Sequence, residues 1–478
     1  MQRKFISNLA LMMVLNIIIK PIAIFGIDAT VQNQVGAADY GIYFSLLNFS
    51  FLFNILLDLG INNFTTKHIA QYPVLASKYL GKLMSVRFAL LLFYFVFSYS
   101  IALILGWSKY ELYLLGILLF NQFLITMIAF ARSHFGGFLM FKTDAFIGIL
   151  DRLLLIIIAG SLLFIPNNLG KFTIEWFIWI QTICYGITLI VSFIFLYKRI
   201  ERPTFNYQRS FTKAILRQSL PYALLILLMM IYTRTDSVMI ERIHPNGAKE
   251  AGYYAQGFRL LNAFFMFAML FSNLLYPIFS NMFTKQLDPR PVFLSASKLL
   301  MGGSILIGVF CFFNGEYILS LIYLEDIAEA AISFKWILLS FIGMAGVIIF
   351  GTFLTAKGDL KFLNILSVGG IALNFGMNYA LIPKFGAEGA AIATLATQSL
   401  IALFQLIRCI QLLHLKFNII ELLRYSLFSA FIITLYYYIT ADSISLLMIL
   451  LLAGGLGMML SGLIPVRALL LAIRKQGK

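Results

Sequence analysis

Ionisable side chains set inside long apolar stretches are the residues of this sequence that could do chemistry. Lys20 interrupts the first apolar stretch, Arg234 lies near the end of a later one, and Arg259 lies about one turn inside the next. A charge in hydrocarbon is costly, so such residues face a protein interior or a water-filled cavity. Cations placed in this way bind anions, and the arginine fork fits the oxygens of a phosphate group. The three residues therefore predict an anion-binding cavity.

Structural interpretations of the same three cations remain open. Arg234 can be neutralised by Asp236, two positions further along, and Lys20 by Asp28, two turns along a helix. Arg259 can snorkel, with its apolar stem along the helix and its charged head at the membrane surface. In each of these cases the cation would stabilise the fold without binding a ligand.

Three acidic residues inside apolar stretches, Asp58, Asp151 and Asp236, are candidates for ion coupling or gating. A salt bridge from Asp58 to Lys67 is an equally good interpretation of the first. Asp151 is followed directly by Arg152, and neighbours on a helix point about 100° apart, so we expect these two not to pair. Asp236 could hold a proton or a cation, or neutralise the nearby arginine.

Motifs for enzyme chemistry are absent from the sequence. The four histidines lie in or beside connections, and there is no HExxH, GxSxG or GxxxxGK[ST] motif. The three cysteines lie within apolar runs and have no metal-ligand spacing, which is typical of packing residues. We therefore expect no catalytic residue, no disulfide, no metal site and no cofactor.

The composition shows which elements must position these residues. The chain has 478 residues, of which 61% are hydrophobic and 12% charged, whereas a soluble domain is about 25% charged. Fourteen apolar runs are long enough to cross a bilayer as helices. They lie near 6–30, 40–63, 83–106, 110–132, 144–166, 173–197, 217–241, 252–279, 293–315, 331–356, 361–383, 387–410, 420–440 and 444–464. The sequence therefore predicts an all-α polytopic membrane protein with about fourteen transmembrane helices.

The net charge of +16 comes from Lys and Arg residues that lie mostly in alternate connections. This is the positive-inside pattern of a membrane protein, and it argues against a nucleic-acid partner. It predicts that both termini are cytoplasmic. One of these basic segments contains Lys67, Lys78, Lys82 and Arg87, and its part from 65 to 82 could form a short surface helix.

An internal repeat predicts two lobes of six helices each. When the sequence is shifted by 214 positions, Tyr40 falls on Tyr254 and Lys20 falls on Arg234. An even number of spans per repeat makes the repeats parallel, and transporters commonly bind substrate between such repeats. The predicted boundaries are 1–200 for the first lobe, 201–415 for the second, and 416–478 for two further helices and a basic tail.

Several stretches resemble the multidrug/oligosaccharidyl-lipid/polysaccharide exporter superfamily, and within it the Wzx-type polysaccharide flippases. They are Gly36–Gly41 (GAADYG), Leu56–Ile61 (LLDLGI), Arg234–Ile240 (RTDSVMI), Ala251–Gln256 (AGYYAQ) and Ile382–Thr394 (IPKFGAEGAAIAT). Their order and spacing extend the resemblance over nearly the whole chain. It implies a V-shaped exporter fold with two additional C-terminal helices.

The resemblance also implies a function. Such a flippase moves undecaprenyl-pyrophosphate-linked oligosaccharide from the inner to the outer leaflet of the bacterial plasma membrane, for O-antigen, capsule or exopolysaccharide biosynthesis. Lys20, Arg234 and Arg259 would bind the pyrophosphate during alternating access. An H⁺ or Na⁺ gradient or the membrane potential would drive transport, and the polysaccharide polymerase and chain-length machinery would be partners. The alternative is an ion-coupled multidrug or metabolite exporter of the same superfamily.

Overall fold

The computed structural model describes residues 19–62, 65–66, 69, 72, 76–138, 140–164, 171–200, 209–415 and 419–463. All regular elements within these residues are helices. The chain forms two compact units, Met1–Arg242 and Ile243–Lys478. Seven of the eighteen residues of the predicted surface helix at 65–82 lie outside the described residues, and its part from 76 to 82 belongs to the longer helix Ala76–Ile104. The predicted lobe boundaries at 200 and 415 stay predictions.

In the described part of the chain, the first unit is a bundle of six long helices and one helix of four residues. They are α1 (Ala29–Leu52), which continues a π-helical turn at Ile22–Asp28, α2 (Ile55–Asp58), α3 (Ala76–Ile104), α4 (Lys109–Gly137), α5 (Phe141–Phe164), α6 (Ile174–Tyr197) and α7 (Arg209–Ile243), which crosses the unit boundary by one residue. Helix α4 is central, with its apolar side chains buried against α1, α3, α5 and α6. A capping box of Ser108 and Glu111 fixes where α4 begins.

The second unit is built in the same way. Its helices are α8 (Gly247–Thr284), α9 (Arg290–Ser320), α10 (Ile327–Leu339), α11 (Phe341–Lys357), α12 (Leu360–Leu413), α13 (Ile419–Tyr438) and α14 (Ile444–Leu460). Helix α11 is almost wholly buried between α8, α9 and α12. The last two helices pack on α9, where the backbone N–H of Ala441 donates to Asn314 Oδ1 at 2.7 Å. The ammonium of Lys298 on α9 also pairs with Glu421 at 2.6 Å.

Two helices contain a break at a glycine that needs a positive φ. Gly36 interrupts α1 with φ 85° and Gly386 interrupts α12 with φ 51°. Glycine takes these conformations without the steric cost that a Cβ would add. Each break falls where the sequence predicts a connection between two spans, so each of these helices changes direction there.

Eleven helices among the described residues are long and apolar enough to cross a membrane. Leu360–Leu413 contains two of the predicted spans, Ile19–Asp58 contains parts of two, and Ile444–Leu460 is a shorter apolar helix. The prediction of an all-α polytopic membrane protein is confirmed. The count of fourteen spans stays a prediction because the first predicted span begins outside the described residues.

Candidate functional site

Arg234 is oriented by a neutral partner in the first unit. Its Nη1 donates to Asn48 Oδ1 at 3.0 Å, and its guanidinium lies 5.3 Å from the ring centre of Phe51. Asn48 is itself fixed, since its Nδ2 donates to the carbonyl of Phe44 at 2.9 Å. An amide oxygen is a neutral acceptor, so Asn48 orients the guanidinium without adding a counter-charge.

Lys20 lies in the helical segment just before the π-helical turn and is half-buried. The charged groups that interact with it are Arg152, Arg132 and Asp151. Asp28, the expected partner of Lys20, interacts instead with Arg152. Within the described part of the chain Lys20 makes no hydrogen bond, so its charge is not cancelled by a direct partner there. π-Helical turns are frequent at functional sites.

Asp151 and Arg152 do pair, and the expectation that they would not was wrong. The Arg152 Nε lies 3.5 Å from Asp151 Oδ2. The argument from helical geometry considered only the directions of the two Cα–Cβ bonds. An arginine side chain is long enough to bend back along the helix surface and bridge that angle.

Arg259 belongs to the second unit and is buried, with 6% of its surface exposed. Its Nη1 donates to the hydroxyl of Tyr323 at 2.6 Å, and its guanidinium lies 5.6 Å from the centre of the same ring. A snorkelling arginine would be exposed at its head, so burial disfavours that interpretation. Tyr323 orients the guanidinium with a neutral group, as Asn48 does for Arg234.

Asp58 is held in a clamp at the end of α2. Its Oδ1 accepts from Arg87 Nη2 at 2.6 Å and from the backbone N–H of Asn62 at 3.1 Å. Arg87 is 1% exposed and also lies 4.5 Å from the ring centre of Phe130. Lys67, the partner considered from the sequence, lies outside the described residues. Asp58 also lines a cavity of about 320 Å³ within the first unit.

Arg87 and a second polar group were missed by sequence reasoning. Arg87 was assigned to a basic connection, but it lies inside α3. In the second unit Asn378 Nδ2 donates to Asn374 Oδ1 at 3.1 Å, and both side chains are fully buried. In the same unit, the hydroxyls of Tyr254 and Thr394 are 3.3 Å apart. Two asparagines four positions apart in an apolar stretch were the signal that could have indicated this group.

Asp236, the remaining acidic candidate, is 1% exposed on α7.

Comparison with known proteins places this arrangement in a family. The family model described as polysaccharide biosynthesis protein matches residues 5–283, which is more than half of the chain. The chain belongs to the polysaccharide biosynthesis protein family. A second family model, MatE, matches residues 221–380. A search of curated protein sequences finds no match.

Solved structures with low sequence identity share the fold of this chain. The lipid II flippase MurJ in an inward closed conformation matches with a TM-score of 0.73 at 17% identity, over 96% of this chain and 100% of MurJ. An inward-facing multidrug resistance MATE family transporter of the MOP superfamily matches with a TM-score of 0.64 at 16% identity, over 86% of this chain and 98% of that one.

A MOP superfamily transporter from Pyrococcus furiosus, described by the reverse polarity of its binding pocket, matches with a TM-score of 0.55 at 14% identity, over 86% of this chain and 95% of that one. This member of the polysaccharide biosynthesis protein family therefore shares its fold with the MurJ flippase and with transporters of the MOP superfamily, the superfamily that its motifs resemble. The proteins with which it shares a fold are flippases and transporters, not enzymes.

Proposed function

We propose that this protein translocates undecaprenyl-pyrophosphate-linked oligosaccharide repeat units from the inner to the outer leaflet of the bacterial plasma membrane. The repeat units would supply O-antigen, capsule or exopolysaccharide. The observation that carries the proposal is the placement of Lys20, Arg234 and Arg259 in apolar helices, the two arginines each oriented by a neutral group. Such cations suit a pyrophosphate, which carries several negative charges. The shared fold with a lipid II flippase supports the same class of substrate.

In the proposed cycle, Lys20 and Arg234 bind the pyrophosphate and Arg259 assists on the outer side. Transport proceeds by alternating access, with both termini in the cytoplasm.

A gradient of H⁺ or Na⁺ or the membrane potential drives transport, because the sequence has no nucleotide-binding motif. Asp236, buried on α7, is the proposed coupling residue. Asp58 and Asp151, each beside an arginine, are proposed to gate the cycle. The polymerase and chain-length machinery would take up the product.

Complementation in cells tests the proposal. A strain that lacks the protein should accumulate lipid-linked oligosaccharide at the inner leaflet, and the native chain should restore surface polymer. Neutralising Lys20 and Arg234 together, as Lys20→Gln and Arg234→Gln, should abolish restoration at normal protein level. The matched control neutralises two exposed lysines, Lys361→Gln and Lys384→Gln. Restoration by the Lys20 and Arg234 double variant would show that the site assignment is wrong.

An ion-coupled multidrug or metabolite exporter is the second candidate, because the MatE family model also matches. It predicts that loss of the protein raises susceptibility to cationic amphiphiles and leaves surface polymer unchanged. The flippase proposal predicts the opposite pair of results.

A further inference from the structure

One face of α5 carries an ion pair, Arg132 with Asp144, that the proposed function does not use. Asp144, Gly148 and Asp151 follow one another at helical spacing and share this face. Arg132 reaches it from α4, and its Nε lies 2.6 Å from Asp144 Oδ1. The guanidinium lies directly over Gly148, where an added Cβ would be 2.9 Å from Cζ. The absence of a side chain at Gly148 therefore provides the space that Arg132 occupies.

Two more cations of the first unit interact electrostatically with groups on this face. Arg152 pairs with Asp151 at 3.5 Å and also interacts with Asp28. Lys20 has Arg132 and Arg152 among its charged neighbours, together with Asp151. The array thus contains three cations from three separate helical segments, and the two arginines each have a carboxylate beside them.

The arrangement has the properties of a site where anions exchange. Arg132 and Arg152 keep 36% and 34% of their side chains exposed, so an incoming anion can reach them. Lys20 is repelled by two guanidinium groups, and an added anion would relieve that repulsion. Carboxylate and phosphate oxygens fit the same guanidinium fork, so one can replace the other without rebuilding the site.

We propose that Lys20, Arg132 and Arg152 form a diphosphate-binding site in the first unit, in which the carboxylate of Asp144 occupies Arg132 until a phosphate group displaces it. The inference rests on the proposed function for its substrate class, because the diphosphate headgroup of a polyprenyl lipid would be the physiological occupant. It adds Arg132 and Arg152 as binding residues and gives Asp144 a role as a displaceable counter-ion.

This role predicts that substitutions of the two members of the ion pair, Arg132 and Asp144, change the affinity for diphosphate in opposite directions. Arg132→Gln removes a charged hydrogen-bond donor and should weaken diphosphate binding about tenfold. Asp144→Asn removes the competing carboxylate and should tighten binding about threefold to tenfold. If the pair only stabilised the fold, both substitutions would change the affinity in the same direction, because loss of either partner leaves the other charge uncompensated.

The experiment measures the dissociation constant of inorganic pyrophosphate by isothermal titration calorimetry, on the full chain in lipid nanodiscs at constant ionic strength. The second unit offers a matched control pair, in which Arg408 Nε lies 2.8 Å from Asp359 Oδ2. Its exposures of 36% and 19% resemble the 36% and 17% of Arg132 and Asp144. Arg408→Gln and Asp359→Asn should leave pyrophosphate affinity unchanged.

Arg132→Lys keeps the charge but loses the fork, and it gives an intermediate affinity if the site exists. This variant keeps the test decisive should Arg132→Gln fail to fold. The proposal would be overturned if Asp144→Asn bound pyrophosphate no more tightly than the native chain. It would also be overturned if the control variants bound pyrophosphate as weakly as Arg132→Gln. Polyprenyl pyrophosphate added to the nanodiscs identifies the occupant. If the lipid competes with inorganic pyrophosphate, the occupant is the lipid headgroup. If the lipid does not compete, the occupant is free diphosphate at the same site.

Failure of this inference and failure of the proposed function are distinguishable. Equilibrium binding of pyrophosphate needs no transport. If the variants show the predicted changes in pyrophosphate affinity but the protein does not flip lipid, the site is supported and the flippase function is rejected. Flipping that depends on Lys20 and Arg234 but not on Arg132 would reject the site alone.

Discussion

At the scale of single residues, the most constrained charge in the described part of the first unit is Arg87. Its guanidinium donates to Asp58 at 2.6 Å, to Asn62 Oδ1 at 2.7 Å, and to the carbonyls of Leu57 and Thr126 at 3.4 Å. These acceptors lie on α2, α4 and the chain after α2, so one side chain joins three parts of the unit. Removing a partner from a buried charge of this kind strongly destabilises the fold.

The first prediction concerns this clamp. Asp58→Asn should lower the free energy of unfolding by about 3–5 kcal/mol, because it leaves the buried Arg87 guanidinium without its counter-charge. Arg87→Met should cost less, since it removes the buried charge itself and leaves behind Asp58, which is 21% exposed. Thermal unfolding in detergent measures both changes. Equal and small effects of the two variants would show that the ion pair does not stabilise the unit.

The sequence identified the cations inside apolar runs but not their contacts. Lys20, Arg234 and Arg259 could be singled out because a charge in hydrocarbon is costly wherever it lies. Their partners Asn48 and Tyr323 are neutral and distant in sequence, so no charge pattern indicates them. Arg87 was misassigned because the apolar run that contains it begins among lysines. The pairing of Asp151 with Arg152 depended on side-chain reach, which a helical wheel does not represent.

At the scale of elements, the break in α12 is stabilised by an interaction from another helix. Glu250 on α8 accepts a hydrogen bond from the backbone N–H of Ala387 at 2.8 Å, directly after Gly386. It thereby satisfies a donor that the broken helix leaves free, and places a negative charge where a helix N-terminus favours one. The apolar pattern predicted two spans here, but it could not show that the connection is a single glycine.

The second prediction tests that break. Gly386→Ala should lower the free energy of unfolding by about 1–3 kcal/mol, because alanine is strained at positive φ and its Cβ would collide with the Glu250 carboxylate. Gly376→Ala is the matched control in the same helix, where an added Cβ meets no atom within 4 Å. It should be neutral or slightly stabilising. A loss of stability in Gly376→Ala as large as in Gly386→Ala would contradict the argument.

At the scale of the whole molecule, hydropathy and charge were sufficient to predict a multi-pass helical membrane protein. Along the chain, the first compact unit ends at Arg242 and the second begins at Ile243. The last two helices pack on α9 of the second unit, which hydropathy alone could not show. Which side of the membrane each end of a helix faces follows only from the distribution of lysine and arginine.

The third prediction tests this orientation by cysteine labelling. Cys184, Cys311 and Cys409 are buried, so native thiols should give little background. A cysteine at the exposed position Lys109, where α4 begins, should react with a membrane-impermeant maleimide in intact cells. A cysteine at the exposed position Lys142, near the start of α5, should react only after the membrane is opened. The reverse result would place both termini outside.

The central claim is that cations in apolar helices carry a lipid-linked diphosphate across the membrane. Its most direct test is the sidedness of a lipid-linked oligosaccharide in liposomes containing the purified protein, read by a lectin or enzyme added outside. We predict that the oligosaccharide becomes accessible faster than in empty liposomes, and that Lys20→Gln with Arg234→Gln removes the acceleration while Lys361→Gln with Lys384→Gln does not. Accessibility unchanged from empty liposomes across several glycans and ion gradients would contradict the flippase function.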